Sequence, residues 1–364
     1  MTRKPVEPGA GVGEPAPGKA RAGGLVPGKA VVVGAGVSGL ATAIGLRRAG
    51  WSVRVLERRT EIERYGTAFG IHPTAQAALE RLGVGQEFGR RAVPYREGRI
   101  RTPDGAVVAH LPLERIERRA GRPELLIARP HLLDVLTGAL DVPIEFGGEA
   151  REDLTAGHDL VVGADGIRSA VRRRHFGGRS GPRPVGTVAW IGIAGFASDV
   201  HGETWGAGRF FGMTPVEPGR TNWYATVPEA TTAAELRELF RGWHDPIPRI
   251  LHETDPSEWI RYEMRHLYPA LPSFTSGGNV ALVGDAAHAM TPNLGQGACT
   301  AILDAEALTR ALTTHATLPG ALRAYDAERR RSAQRVAFGS RSLHRFMTLR
   351  RTGLRDALLR LLPA

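Results

Sequence analysis

The chain has 364 residues, 42% of them hydrophobic and 23% charged, with a single cysteine, Cys299. That length supports one large or two ordinary domains with a sizeable core, and a lone cysteine excludes an intramolecular disulfide and fits a reducing, cytoplasmic setting. The net charge of +11 would suit a polyanion, but lysine occurs only at Lys4, Lys19 and Lys29, the remaining basic residues are dispersed arginines, and no basic stripe with interleaved aromatics is present. Nucleic acid is therefore not expected as a partner, and a mildly basic funnel for anionic cofactors is the better reading.

Residues 1–28 hold many Gly and Pro and almost no large apolar side chains, so they read as a flexible tail with no signal-peptide core. Residues 23–29 imitate a phosphate loop, but Ala30 replaces the hydroxyl residue and a strand follows where a helix should. A strand over 30–33 leads to a helix over 40–48 and a second strand over 52–56. Another helix closes at 79–82 before Gly83, and 129–140 is helical with Leu132, Leu133, Leu136 and Leu140 on one face. Segments 160–163 and 280–284 are apolar on both faces, as buried parallel strands require. Between them, residues 185–265 alternate Trp, Phe, Tyr, Thr and Val around Trp190, Phe210 and Trp223, with Gly and Pro turns, which predicts an inserted antiparallel sheet. Helices are expected over 322–346 and 352–362. No apolar run reaches 18 residues, so no membrane span is expected.

Three motifs carry chemistry. Gly34-Ala35-Gly36-Val37-Ser38-Gly39 lies between the first strand and its helix. Gly34 permits the tight turn, Gly36 lets a pyrophosphate approach the backbone, and Gly39 lets helix and strand pack closely, with the helix N-terminus facing the phosphates. Glu57, with Arg58 beside it, ends the second strand, where an acid binds ribose hydroxyls. The second motif, Gly163-Ala164-Asp165-Gly166-Ile167-Arg168-Ser169, puts a carboxylate and a glycine after a buried strand. The third runs Gly284-Asp285-Ala286-Ala287-His288, then Pro292-Asn293-Leu294-Gly295-Gln296-Gly297 and a helix. Here Asp285 would meet a polyol and the glycine backbone a flat ring.

These three motifs, in this order, resemble the fingerprints of the FAD-dependent aromatic hydroxylases, the p-hydroxybenzoate hydroxylase-like single-component flavin monooxygenases. Ile127-Ala128-Arg129 and Tyr325-Asp326-Ala327-Glu328-Arg329-Arg330 also resemble family segments, so the likeness runs from about residue 30 to 340. It implies an α/β fold: a Rossmann-like FAD-binding domain from 29–178 and 276–320, an inserted antiparallel β-sheet substrate domain over 179–275, and C-terminal helices over 321–364. It implies that Gly34, Gly36 and Gly39 hold the pyrophosphate and Glu57 the adenosine ribose. Arg129 would contact the ribityl–pyrophosphate region, Asp165 would lie near the pyrophosphate with a link to NAD(P)H use, and Asp285 would bind the ribityl chain. Pro292, Leu294, Gly295, Gln296 and Gly297 would lie beside the isoalloxazine, where the positive end of the following helix suits the reduced ring.

The implied activity is hydroxylation of an electron-rich, aromatic or polyene small molecule, using NADPH or NADH and O₂ through a flavin C4a-hydroperoxide. Alternatives on the same cofactor are an epoxidase and a non-redox cyclase or rearrangement enzyme. A halogenase is disfavoured because no Trp-x-Trp occurs and no lysine lies beyond residue 29. His72 is a candidate substrate contact and Pro292 a candidate active-site residue. Cys299 and His288 are expected to be packing residues. Trp190, Trp205, Phe210, Phe211, Trp223 and Tyr224 should divide between the two sheet faces. No metal-ligand spacing is present, and a monomer or homodimer is expected.

Overall fold

The computed structural model describes residues 25–63, 66, 68–148 and 154–360. Most of the tail expected over 1–28 lies outside them, but Leu25 is already tied down, its N–H donating to His315 O at 2.8 Å.

A six-stranded sheet has the spatial order Thr275–Ser276, Val280–Leu282, Leu160–Gly163, Lys29–Val33, Ser52–Glu57, Ile144–Phe146. Its pairings are parallel except at the Thr275–Ser276 edge. Val32 is in register with both Val55 and Val162. The central strands are buried along nearly their whole length, because helices cover both faces. Helix Val37–Arg48 crosses helix Gly297–Thr314 closely at Gly45, where a Cβ would sit 2.1 Å from Thr309 Oγ1. The strand expected over 280–284 ends at Leu282. Gly284, at φ +58°, turns the chain into the short helix Asp285–His288.

The second sheet has seven strands in the order Ile260–Tyr268, Gly181–Ala194, Arg220–Pro228, Phe210–Glu217, Gly202–Trp205, Arg99–Arg101, Val107–His110. It is antiparallel but for the pairing of Gly202–Trp205 with Arg99–Arg101. Its last two strands come from residues well upstream of 179. A three-stranded sheet, Ala68–Ile71, Glu124–Ala128, Val93–Tyr95, interleaves in sequence with the 99–110 strands and contacts the Phe210–Glu217 strand.

The aromatic residues divide by strand alternation. Trp190, Phe211 and Trp223 pack under helices Ala233–Phe240 and Ile247–Glu253. Trp205, Phe210 and Tyr224 face the other way, onto Met347, Phe346 and Leu359 of the C-terminal helices. The expected even split is what the sheet shows.

Helix Leu318–Met347 explains why residues 325–330 form a motif. Tyr325 donates to Leu282 O at 2.7 Å, Asp326 Oδ1 accepts the Phe274 N–H at 2.6 Å, and Arg329 Nε donates to Asp304 Oδ1 at 2.9 Å. Three side chains on one helix thus clamp the strand and loop that carry Asp285.

The far end of this helix makes stability depend on pH. His344 is 4% exposed, with Nε2 3.4 Å from Thr187 Oγ1 and Nδ1 without a partner. Burial, helped by Arg345 and His266, pushes its imidazole down to about 4. The folded value lies below the unfolded one of 6.5, so the unfolded chain takes up the proton first. The stabilising contribution is complete above about pH 6.5 and is lost as pH falls toward 4. Urea unfolding should show wild-type stability falling about 2–3 kcal/mol more across that window than in His344→Leu. Parallel pH profiles in the two proteins would contradict the assignment.

Candidate active site

The first loop leaves strand Lys29–Val33 through Gly34 at φ +106°, a conformation open to glycine. A Cβ on Gly34 would lie 2.4 Å from Ala164 O, so the first and second motifs touch backbone to backbone. A Cβ on Gly39 would lie 1.8 Å from Gly34 O, which is why helix and strand can close together only there. Gly36 differs: nothing lies within 4 Å of where its Cβ would be, so the backbone opens onto free space at the N-cap of a 12-residue helix. Glu57 has a structural task that the sequence did not reveal. Its Oε2 accepts the Ala35 N–H at 2.9 Å and its Oε1 the Arg59 N–H at 3.0 Å. It fixes the glycine loop, and each oxygen keeps a lone pair for a hydroxyl. Arg58 beside it is exposed.

In the second motif Asp165 caps helix Ala170–Phe176. Its Oδ2 accepts the Ala170 and Val171 N–H groups at 2.6 and 3.2 Å, while Oδ1 is buried without a partner. Arg172, 1% exposed, was not anticipated from the sequence. It donates to Ala286 O at 2.9 Å and Ile167 O at 2.6 Å, tying the second motif to the third.

Asp285 opens the third motif. It is reached by solvent, yet burial by the surrounding protein pushes its carboxyl up against the opposing pull of His288, Arg129 and Arg172. Accessible and desolvated at once describes the floor of a concave cleft. Arg129 begins helix Arg129–Gly138. Burial lowers its guanidinium while Glu63 and Asp285 raise it, and its Nε is without a partner. Behind the cleft, buried Asp304 accepts from Gly284 N–H at 3.0 Å, from Arg329, and from His288 Nε2. His288 is thereby a 3% exposed packing residue, as expected. The next turn, Pro292–Leu294, leads to Gly295 at φ +64° and Gln296, the N-cap of helix Gly297–Thr314. Pro292, Leu294 and Gly295 are exposed, and no atom lies within 4 Å of a Cβ built at Gly295 or Gly297. Ser340 supports this open strip from behind, donating to Thr291 O and accepting the Leu294 N–H at 3.3 Å.

The acids of the second and third motifs and the two arginines thus form one electrostatic group: Arg129 acts on Asp285, and Arg172 on both Asp165 and Asp285. His72 stands apart from that group. It is the N-cap of helix Pro73–Arg81, its Nδ1 accepting the Thr74 N–H at 3.4 Å. Its own N–H donates to Cys299 Sγ at 3.3 Å, and Cys299 donates to Gly70 O at 3.1 Å. Burial pushes the Cys299 thiol up to about 12, so the expected packing role holds. Arg172 and Asp304 went unrecognised in the sequence. Asp304 had a signal, as an acid between Leu303 and Ala305 in an otherwise uncharged stretch that runs from Ala298 to Ala305.

A doubly wound sheet with glycine turns at the carboxyl ends of its strands defines a nucleotide-binding protein, and the cleft acids and the second sheet narrow it to the flavin class. Residues 28–138 and 144–340 match the FAD binding domain family. The chain is 34% identical over 338 residues to the aurachin C monooxygenase/isomerase of Stigmatella aurantiaca, covering 85% of this chain and 87% of that one. It is 32% identical over 345 residues to the 3-amino-4-hydroxybenzoate 2-monooxygenase of Streptomyces cremeus, covering 84% and 86%. Among solved structures it resembles Klebsiella pneumoniae HpxO complexed with FAD and uric acid, with TM-score 0.81, 26% identity and 91% of each chain covered. The chain belongs to the FAD binding domain family, and within it to the FAD- and NAD(P)H-dependent monooxygenases that hydroxylate small molecules. No helix among the described residues is long and apolar enough to cross a membrane.

Proposed function

We propose that this monooxygenase acts on an electron-rich aromatic small molecule held between the seven-stranded sheet and the cleft at Asp285. The observation that carries this reading is the enclosed but solvent-reached Asp285, with Arg129 and Arg172 around it and the bare strip at Gly295 and Gly297 beside it. The residues fit FAD. Gly36 opens onto space that a pyrophosphate needs, and Asp165 Oδ1 and Arg129 Nε are buried polar atoms without protein partners. In this reading residues 29–178 and 276–320 carry the cofactor and 179–275 most of the substrate side, with the 99–110 strands added to it.

When bound, FAD would supply the redox chemistry, accepting a hydride from NAD(P)H and passing one oxygen atom of O₂ to the substrate while the other leaves as water. The chain's own contribution is position and charge. Gly34, Gly36 and Gly39, with the N-terminus of helix Val37–Arg48, hold the pyrophosphate, and Glu57, beside Arg58, the ribose. Asp285 receives polyol hydroxyls, and Arg129 offers its guanidinium to the phosphate side. Pro292, Leu294, Gly295, Gln296 and Gly297 form an open edge that a bound ring would cover, and helix Gly297–Thr314 turns its positive end toward it. The proposed substrate-contacting role of His72 rests on its second ring nitrogen alone, since the first caps a helix.

Purified protein should be yellow, release FAD on denaturation, and oxidise NAD(P)H faster when an aromatic substrate is added. Colourless protein that cannot be reconstituted would overturn the assignment of the site. Gly36→Ala separates ligand from fold. Backbone angles of φ −79° and ψ −174° suit alanine, and no protein atom obstructs the methyl. Stability should drop by less than about 1 kcal/mol, while FAD affinity falls at least about tenfold because the methyl occupies the phosphate's space. Unchanged affinity in a folded variant would sink the pyrophosphate assignment.

A further inference from the structure

One face of the seven-stranded sheet carries a group of acids and phenols with no salt-bridge partner among the described residues. Glu203 is in register with Gly212, Gly212 with Tyr224, and Thr214 with Asn222, so Glu203, Tyr224, Thr214 and Asn222 share one face. Glu203 Oε1 accepts from Tyr224 Oη at 2.9 Å and Oε2 from Trp205 Nε1 at 2.7 Å. Each oxygen retains a second lone pair. Like Asp285, Glu203 is partly reached by solvent although the protein around it strongly desolvates it, so it too lines a concave surface. Across from it, on the three-stranded sheet, stand Tyr95 and Glu124, whose carboxyl is raised by burial. Tyr95 feels Glu203 and Glu124 together, after burial itself, and is pushed upward by them.

Two side chains of this group carry buried polar atoms without protein partners. Tyr95 is 6% exposed and its hydroxyl has no partner. Asn222 is 3% exposed. Its Nδ2 donates to Thr214 Oγ1 at 2.9 Å and its Oδ1 has no partner. A buried acceptor left open on a substrate-facing sheet is satisfied by a donor that arrives. Among the described residues no guanidinium pairs with Glu203 or Glu124. Arg101, the one arginine that acts on Tyr95, donates to His201 O at 3.0 Å.

We infer that the site selects an amino- or hydroxy-substituted aromatic, neutral or cationic, that donates hydrogen bonds to Glu203 and Asn222, and that it rejects aromatic carboxylates. This rests on the reading that the substrate lies against this sheet face. A carboxylate brought beside Glu203 would be stripped of water among acceptors, with no guanidinium bonded to that carboxyl to receive it. A phenol or aniline would instead supply donors to acceptors that already exist. The unpaired acceptors thus act as a rejecting device as well as an attracting one.

The test uses two ligands of one shape, 3-aminophenol and 3-hydroxybenzoate, titrated into the FAD-loaded enzyme. Binding is followed by the flavin spectrum and by tryptophan fluorescence, to which Trp205, bonded to Glu203, contributes. The aminophenol should bind at least about tenfold more tightly. Glu203→Gln, isosteric and able to keep its two partners, should narrow the gap below about threefold. Tyr95→Phe, which removes only an unpartnered hydroxyl, should weaken aminophenol binding while leaving the fold intact. Equal or tighter binding of the hydroxybenzoate would overturn the inference, as would a gap unchanged in both variants or no saturable signal with either ligand. Stimulation of NADPH oxidation by the hydroxybenzoate alone would refute the selectivity and leave the monooxygenase assignment standing. Protein without flavin would refute the cofactor site, and the fluorescence titration would still decide the selectivity.

Discussion

Replacing Asp304 by alanine should lower the unfolding free energy by about 3–5 kcal/mol, the cost of breaking a buried ion pair from one side. Asp304 is fully buried. Burial raises its carboxyl, but His288, Arg329 and the Gly284 N–H outweigh that and hold it below the usual range. It therefore stands as an anion with three donors around it. Alanine leaves Arg329 Nε, His288 Nε2 and the Gly284 N–H with no acceptor in a region closed to water, although Arg329 keeps Ser332 Oγ and Thr300 O. Asp304→Asn, which keeps one acceptor, should lose distinctly less. Urea unfolding followed by circular dichroism would decide. A loss below about 1 kcal/mol for the alanine variant would show that the group is not a structural node.

Asp285→Ala is expected to do the reverse: the fold survives and the cofactor leaves. Its carboxyl is raised by burial, so the folded protein holds an anion in a place that disfavours it. Removing it should not destabilise the chain. If the carboxylate receives ribityl hydroxyls, FAD affinity should fall about 10–100-fold, the range for hydrogen bonds to a charged group. The variant would purify pale and folded, and reconstitution with added FAD would require higher concentrations. Retention of flavin equal to wild type would refute the ribityl role, whatever the activity did. The two carboxylates lie 19 positions apart in one stretch of sequence. One is expected to hold the protein and the other the ligand.

Much of the frame was legible in the chain because period and glycine placement report on backbone directly. The parallel strands announced themselves by being apolar on both faces, and Gly34, Gly36 and Gly39 by their spacing before a helix. The alternation over 185–265 foretold both the sheet and the division of its aromatics. What escaped was set by partners distant in sequence. The strands Arg99–Arg101 and Val107–His110 are short and join a sheet whose other members begin some 70 residues later. Arg172 looked like one of three adjacent surface arginines, yet it alone is buried, between Ile167 O and Ala286 O. Glu57 was legible as an acid at the end of a strand, but its bond to the Ala35 N–H required the loop to be folded around it. Glu203 offered no pattern, since an acid in an alternating strand belongs ordinarily to the solvent face.

The helix Leu318–Met347 is anchored midway, where Gln334 donates to Leu271 O and Ser340 to Thr291 O, and again toward both ends. Near its start Tyr325, Asp326 and Arg329 grip the segments around Leu282, Phe274 and Asp304; near its end Phe346 and Met347 rest with Trp205 and Phe210. The two attachments are about 20 residues apart along a rod that rises roughly 1.5 Å per residue. A slip along its axis would break both attachments together, since hydrogen bonds at one end and side-chain packing at the other tolerate no shift of a full turn. The rod is therefore held against sliding, and it ties the segments around Asp285 to the Trp205 end of the seven-stranded sheet in one fixed register.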